Sequence, residues 1–134
     1  MENLKKYFEF SGTISGVNYF LRQLLTSLIA FIGGFTLGYG IGDFIKDDSI
    51  GLITLGMVIL SPAVWMSFAT IYKRCEALFP GLAATYTLSI IILQVLNQFI
   101  DKTNSILSGL ASLALLGFGL YLIFKNSDIV EHNG

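Results

Sequence analysis

Four stretches of this 134-residue chain contain no charged side chain: residues 23–42, 49–72, 77–100 and 103–124. They are 20, 24, 24 and 22 residues long, and all 17 charged residues lie in the segments between and around them. About 20 helical residues at about 1.5 Å each cross a hydrocarbon core roughly 30 Å thick, so every stretch is long enough to span a bilayer. A spanning β-strand would alternate apolar and polar side chains over about 10 residues. Here Leu24-Leu25-Thr26-Ser27-Leu28-Ile29-Ala30-Phe31-Ile32 is apolar nearly all round. A soluble four-helix bundle would carry a charged stripe on each helix, and none of the stretches has one. The expected fold is an all-α membrane protein, a single membrane domain over residues 1–134. Its four transmembrane helices, at about 23–42, 50–72, 80–100 and 104–124, form an up-down antiparallel bundle.

Composition agrees with a chain that lives in lipid. Charged residues make up 13% and hydrophobic ones 54%, against about 25% charged in an ordinary soluble domain. The 8 basic residues nearly balance the 9 acidic ones, which leaves no basic field for nucleic acid. One cysteine and one histidine exclude an internal disulfide and a four-ligand zinc site, and no cofactor is expected. The first apolar stretch is long for a cleavable signal peptide and no small-x-small site follows it, so it is expected to be retained.

Orientation follows from Lys and Arg, because acidic residues count little toward topology. The amino-terminal segment (Lys5, Lys6, Arg22), the second loop (Lys73, Arg74) and the tail (Lys125) share one side of a four-span chain and hold 6 basic residues. The first and third loops hold 2, Lys46 and Lys102. Both termini are therefore expected in the cytoplasm, with residues 1–22 as an interfacial segment and residues 125–134 as a cytoplasmic tail. The connections at 43–48, 73–76 and 101–104 are short, which makes sequential helices antiparallel neighbours.

Helices in lipid associate through close approach at small residues and through interhelical hydrogen bonds. Gly34, Gly38 and Gly42, with Ala30 one step earlier, form a smooth face at four-residue spacing. It suits packing within the chain or a homo-oligomer seam. Gly81, Thr85 and Ser89 repeat the spacing in the third span. Pro62, in mid-span, leaves the Val58 carbonyl without its usual donor, and Ser61 is placed to repair the gap. Pro80 falls near the start of the third span, where a missing N–H does no harm.

No span contains Asp, Glu, Lys, Arg or His at depth, whereas proton- and cation-coupled carriers place an ionisable group near the midplane. The best polar cluster is Gln94, Asn97 and Gln98, which share one helix face. It suits interhelical hydrogen bonding or a polar lining. Lys73 and Arg74 are expected at the cytoplasmic surface in contact with anionic lipid headgroups. Cys75 is a lone thiol beside them, and His132 lies in a polar tail. No Ser-His-Asp or Cys-His arrangement, and no phosphate-cradling glycine loop, is present.

The first 22 residues place Leu4, Tyr7, Phe8 and Phe10 beside Lys5 and Lys6, as suits a segment in the headgroup region. Ser11-Gly12-Thr13-Ile14-Ser15-Gly16 reads as a turn in which Ser15 caps the helix leading into the first span. The stretch Tyr7-Phe8-Glu9-Phe10-Ser11-Gly12-Thr13-Ile14-Ser15, followed by Tyr19-Phe20, resembles the opening of domain-of-unknown-function family 805, the YhaH-like small bacterial inner-membrane proteins. Ser61-Pro62-Ala63 and Ile71-Tyr72-Lys73-Arg74 look like that family's proline-containing helix running into a basic pair. Thr13 and Gly16 stand where the family usually has arginines, and Cys75-Glu76-Ala77 replaces a Leu-His-Asp run. The resemblance implies a bacterial inner-membrane protein of undetermined activity.

The functional expectation is a non-enzymatic membrane component whose partners are membrane lipids, other membrane proteins or further copies of itself. The alternatives are a small oligomeric channel or transporter, with Gly34 on its seam and Gln94 in its lining, and a holin-like permeabilising protein.

Overall fold

The computed structural model describes residues 1–47, 50–100, 105–127 and 130–134. The expected 101–104 connection, with Lys102, lies outside them, as do Asp48 of the first connection, Ser49, and Asp128 and Ile129 of the expected tail. The described chain is helical: α1 Glu2–Phe8, α2 Gly16–Asp47, α3 Gly51–Leu78, α4 Ala83–Phe99 and α5 Ser105–Phe124. Three of these, α2, α3 and α5, are long and apolar enough to cross a membrane. The fourth expected span, α4, is shorter at 17 residues.

The helix boundaries differ from the sequence expectation. Residues 43–47, read as part of the first connection, are the last residues of α2, which runs to Asp47. Residues 73–76, read as a loop because of their charges, are the last turns of α3. Lys73, Arg74 and Glu76 are good helix formers, and charge alone does not end a helix. What ends α3 is the pair Pro80-Gly81: proline disfavours helical geometry in the residue before it, and Gly81 takes a left-handed φ of 81°. Pro80 therefore lies in the turn between α3 and α4, and Gly81 belongs to that turn rather than to the Thr85–Ser89 face. At the other end, the capping expectation holds. Ser15 Oγ accepts from the Asn18 N–H at 3.3 Å, and α2 begins at Gly16.

Two compact units make up the chain. One comprises Met1–Glu9 and Leu21–Thr70. Within it α2 and α3 run antiparallel, Gln23 meeting Ser67, Gly33 meeting Ile59 and Leu60, and Gly40 meeting Leu52 and Ile53. The buried small residues recur every seven positions, Thr26, Gly33 and Gly40 on α2 and Gly56, Ala63 and Thr70 on α3. A seven-residue repeat is the period of left-handed helix packing. The backbones come close: a Cβ at Gly40 would lie 2.5 Å from the Ile53 nitrogen, and one at Gly56 would lie 2.7 Å from the Leu37 nitrogen. Helix α1 is held in the same unit. Trp65 Nε1 donates to the Phe8 carbonyl at 2.9 Å, and the Arg22 guanidinium lies 4.6 Å from the Tyr7 ring centroid.

Hydroxyls within the helices bond back to the preceding turn, which satisfies them in an apolar setting. Thr26, Thr36, Thr54, Ser61 and Ser89 each donate to the carbonyl four residues earlier. Helix α3 is continuous through Pro62. The Ser61 hydroxyl goes to the Met57 carbonyl, not to the Val58 carbonyl that Pro62 leaves without its donor.

The second unit comprises Phe10–Phe20 and Ile71–Gly134. Its core is Ile14, Tyr19, Ile71, Cys75, Ala83 and Leu122. Helices α4 and α5 pack antiparallel: Leu93 and Leu96 face Leu107 and Leu110, and Tyr86 stacks near Phe118. Phe79, Tyr86, Phe118 and Tyr121 form a run of rings with neighbouring centroids 4.1 to 6.3 Å apart.

Burial is inverted relative to a soluble protein. Phe31, Phe35, Leu113 and Leu116 are among many large apolar side chains left exposed, while the two largest fully buried side chains are Arg74 and Lys73. An exterior of Leu, Phe and Ile is stable where the surroundings are hydrocarbon, because water then exerts no drive to cover it.

Candidate functional site

Lys73 and Arg74 are expected at the surface, against lipid headgroups. The structure corrects this: each is 1% exposed, because α3 continues past the basic pair and carries both side chains into the second unit. Arg74 then forms the polar centre of that unit. Its Nε donates to the Leu122 carbonyl at 2.5 Å and its Nη1 to the Ile14 carbonyl at 3.1 Å. Its Nη2 donates to the Lys125 carbonyl.

These acceptors have a common origin. Leu122 lies in the last turn of α5 and Lys125 just follows it, where helix carbonyls lack intrahelical donors and the macrodipole is negative. The fixed fork of a guanidinium can serve several such carbonyls at once. Arg74 thus caps α5 and ties it to the turn before α2. Gly16 is required at that junction, since a Cβ there would overlap the Ile123 carbonyl.

The tail closes over the same turn. Thr13 N–H donates to Asn133 Oδ1 at 3.2 Å, and Gly134 N–H donates to the Thr13 carbonyl at 2.9 Å. His132 Nδ1 is 3.1 Å from Thr13 Oγ1, and its Nε2 is 3.4 Å from Ser127 Oγ. Gly12, with φ 85°, turns the chain there. His132 is therefore engaged in packing rather than simply solvated.

A pocket of about 290 Å³ opens among these groups, lined by Ser15, Gly16, Val17, Arg74, Ile123, Lys125, Asn126, Ser127 and His132. Three of its lining residues are basic, and none of the described ones is a carboxylate. Beside it, and sharing Val17 and Ile123, runs an apolar groove completed by Phe20, Leu120 and Phe124.

The remaining candidates stay apart from this site. Around Gly34, Gly38 and Gly42 no described atom beyond the helix's own neighbouring backbone lies within 4 Å of where a Cβ would be. The glycines that pack α2 on α3 are Gly33, Gly40 and Gly56, so the four-residue ladder faces away from the α2–α3 seam. The signal for the seam was the seven-residue recurrence of small residues, which a search at four-residue spacing passes over. Gln94 and Gln98 are exposed and Asn97 is half-buried. None of the three makes a hydrogen bond among the described residues, and the Asn97 Oδ1 is enclosed without a partner. Cys75 is fully buried. Among the described residues no group of three His, Cys, Asp or Glu could hold a metal ion. Compared with known proteins, the chain matches no family model, no curated protein and no solved structure.

Proposed function

We propose that this chain is a four-span, non-enzymatic component of a bacterial inner membrane that works through contacts with lipids and other membrane proteins, both termini lying in the cytoplasm. The observation that carries the reading is the inverted burial: apolar side chains cover the outside of α2, α3 and α5, and the chain's arginine and lysine pair is inside. Such a surface is at home in lipid and a liability in water. The fourth span in this reading is α4. Its 17 residues extend about 25 Å, at the short end of what a bilayer accepts, and it carries Leu88, Ile92, Val95 and Phe99 outward. The excess of Lys and Arg on the side of Arg22, Arg74 and Lys125 supports the orientation. The likeness to domain-of-unknown-function family 805 supports the bacterial inner membrane.

Membrane fractionation and site-directed labelling test this together. The chain should stay with the membrane pellet through alkaline carbonate washing. Cysteines introduced at Lys5 and Lys125 should resist an impermeant maleimide in intact cells, and one at Lys46 should react. Release by carbonate would refute membrane integration; labelling at Lys125 from outside would refute the orientation.

A second reading, a homo-oligomer seamed through α2, is favoured by the outward position of Gly34, Gly38 and Gly42. Cysteines at Gly34 and Gly38 should then crosslink between copies under oxidation. Their failure to do so at any oxidant level removes the seam.

A further inference from the structure

We infer that the basic pocket and its adjoining apolar groove together form a binding site for one anionic phospholipid of the cytoplasmic leaflet. The inference rests on the membrane reading above. Arg74, Lys125 and His132 line the pocket, together with the Ser15 and Ser127 hydroxyls and the first two residues of α2. Basic side chains and the N–H groups of a helix's first turn both favour a phosphate. The lining has no carboxylate among the described residues to oppose it.

The groove supplies the other half of an amphiphile. Val17, Phe20, Leu120, Ile123 and Phe124 present no polar group, and Val17 and Ile123 belong to both cavities. A molecule seated across the shared wall has its anionic head against Lys125 and Arg74 and its chain against Phe20 and Leu120. A free phosphate fills only the first cavity and a zwitterionic lipid is not matched to the basic lining, so the pairing selects a lipid with net negative charge. Arg74 already donates to three carbonyls, which holds it rigidly in place as a fixed positive charge. Lys125 is exposed, and its long side chain can reach over the headgroup.

The test uses the full chain purified in detergent. Dioleoyl phosphatidylglycerol, dioleoyl phosphatidylcholine and sodium phosphate are added in parallel arms, with thermal unfolding and native mass spectrometry as readouts. Phosphatidylglycerol should raise the midpoint and give adducts about fivefold more abundant than phosphatidylcholine, the factor one basic contact is worth. Lys125→Gln should reduce that preference by about the same factor, since its carbonyl and hence the Arg74 bond are kept. Leu120→Trp, which fills the groove, should abolish adducts of either lipid while near-ultraviolet circular dichroism stays native.

Equal adducts from the two lipids in the unaltered chain overturn the proposal without needing any variant. So does stabilisation by phosphate equal to that by phosphatidylglycerol, which would leave the groove without a role. A chain that stays dissolved with no detergent present would instead refute the membrane reading itself, and the two failures are distinguishable at the first purification step.

Discussion

Replacing Arg74 by methionine keeps an unbranched apolar stem, two atoms shorter, and removes every hydrogen bond the guanidinium makes. Three carbonyls, those of Ile14, Leu122 and Lys125, lose their donor. Each orphaned acceptor in a water-poor setting costs about 1–3 kcal/mol, and bonds from a charged donor are at the upper end. The gross loss is about 5 kcal/mol. Removing a buried charge recovers part of its desolvation, a few kcal/mol, so a net loss of about 3 kcal/mol is expected, a large fraction of a typical domain's stability. Arg74→Lys should fall between, because a compact ammonium cannot reach three carbonyls spread over the α2 turn and the end of α5. Side-chain truncation at the exposed Lys125 leaves its acceptor in place and serves as a thermal-melt control for the bonds.

The assay is thermal unfolding in detergent, followed by near-ultraviolet circular dichroism, together with trypsin cleavage after Lys125. The unfolding midpoint should drop in the order wild type, Arg74→Lys, Arg74→Met, and tail cleavage should accelerate in the same order. If Arg74→Met unfolds at the wild-type midpoint with its tail as protected as before, Arg74 is not what ties α5 to the amino-terminal turn.

Further outcomes follow from the glycines and the thiol. Gly40→Ala and Gly56→Ala drive a methyl into facing backbone and should each cost about 1–3 kcal/mol. Gly34→Ala and Gly38→Ala meet nothing within the chain and should raise the midpoint slightly, by up to about 1 kcal/mol of helix propensity; thermal melts in one detergent rank the four. Gly16→Ala should free the tail as Arg74→Met does, because its methyl overlaps the Ile123 carbonyl; tryptic cleavage after Lys125 reads this directly. Cys75, fully buried, should react with a maleimide only after denaturation, and stoichiometric labelling of the folded chain would contradict the packing of the second unit.

What the linear order of residues determined is local. Twenty or more positions without a charge favour a helix that can lie in lipid, so α2, α3 and α5, the three helices long and apolar enough to cross a membrane, were legible from Lys, Arg, Asp and Glu alone. The Ser15 cap was legible too, because a hydroxyl three residues ahead of a backbone N–H acts within one turn. Short-range chemistry also decides the end of α3, although the stop signal was Pro80-Gly81 and not the charges before it. The tertiary structure decided which small residues face a partner and where the basic pair goes. Gly33 and Gly34 are chemically identical, and only the crossing of α2 on α3 selects the first for packing and leaves the second outside. Arg74 reads as a surface residue on any hydropathy scale. It is buried because α5 ends beside it with carbonyls that have no donors of their own, a demand set by residues about 50 positions away and invisible until the chain is folded.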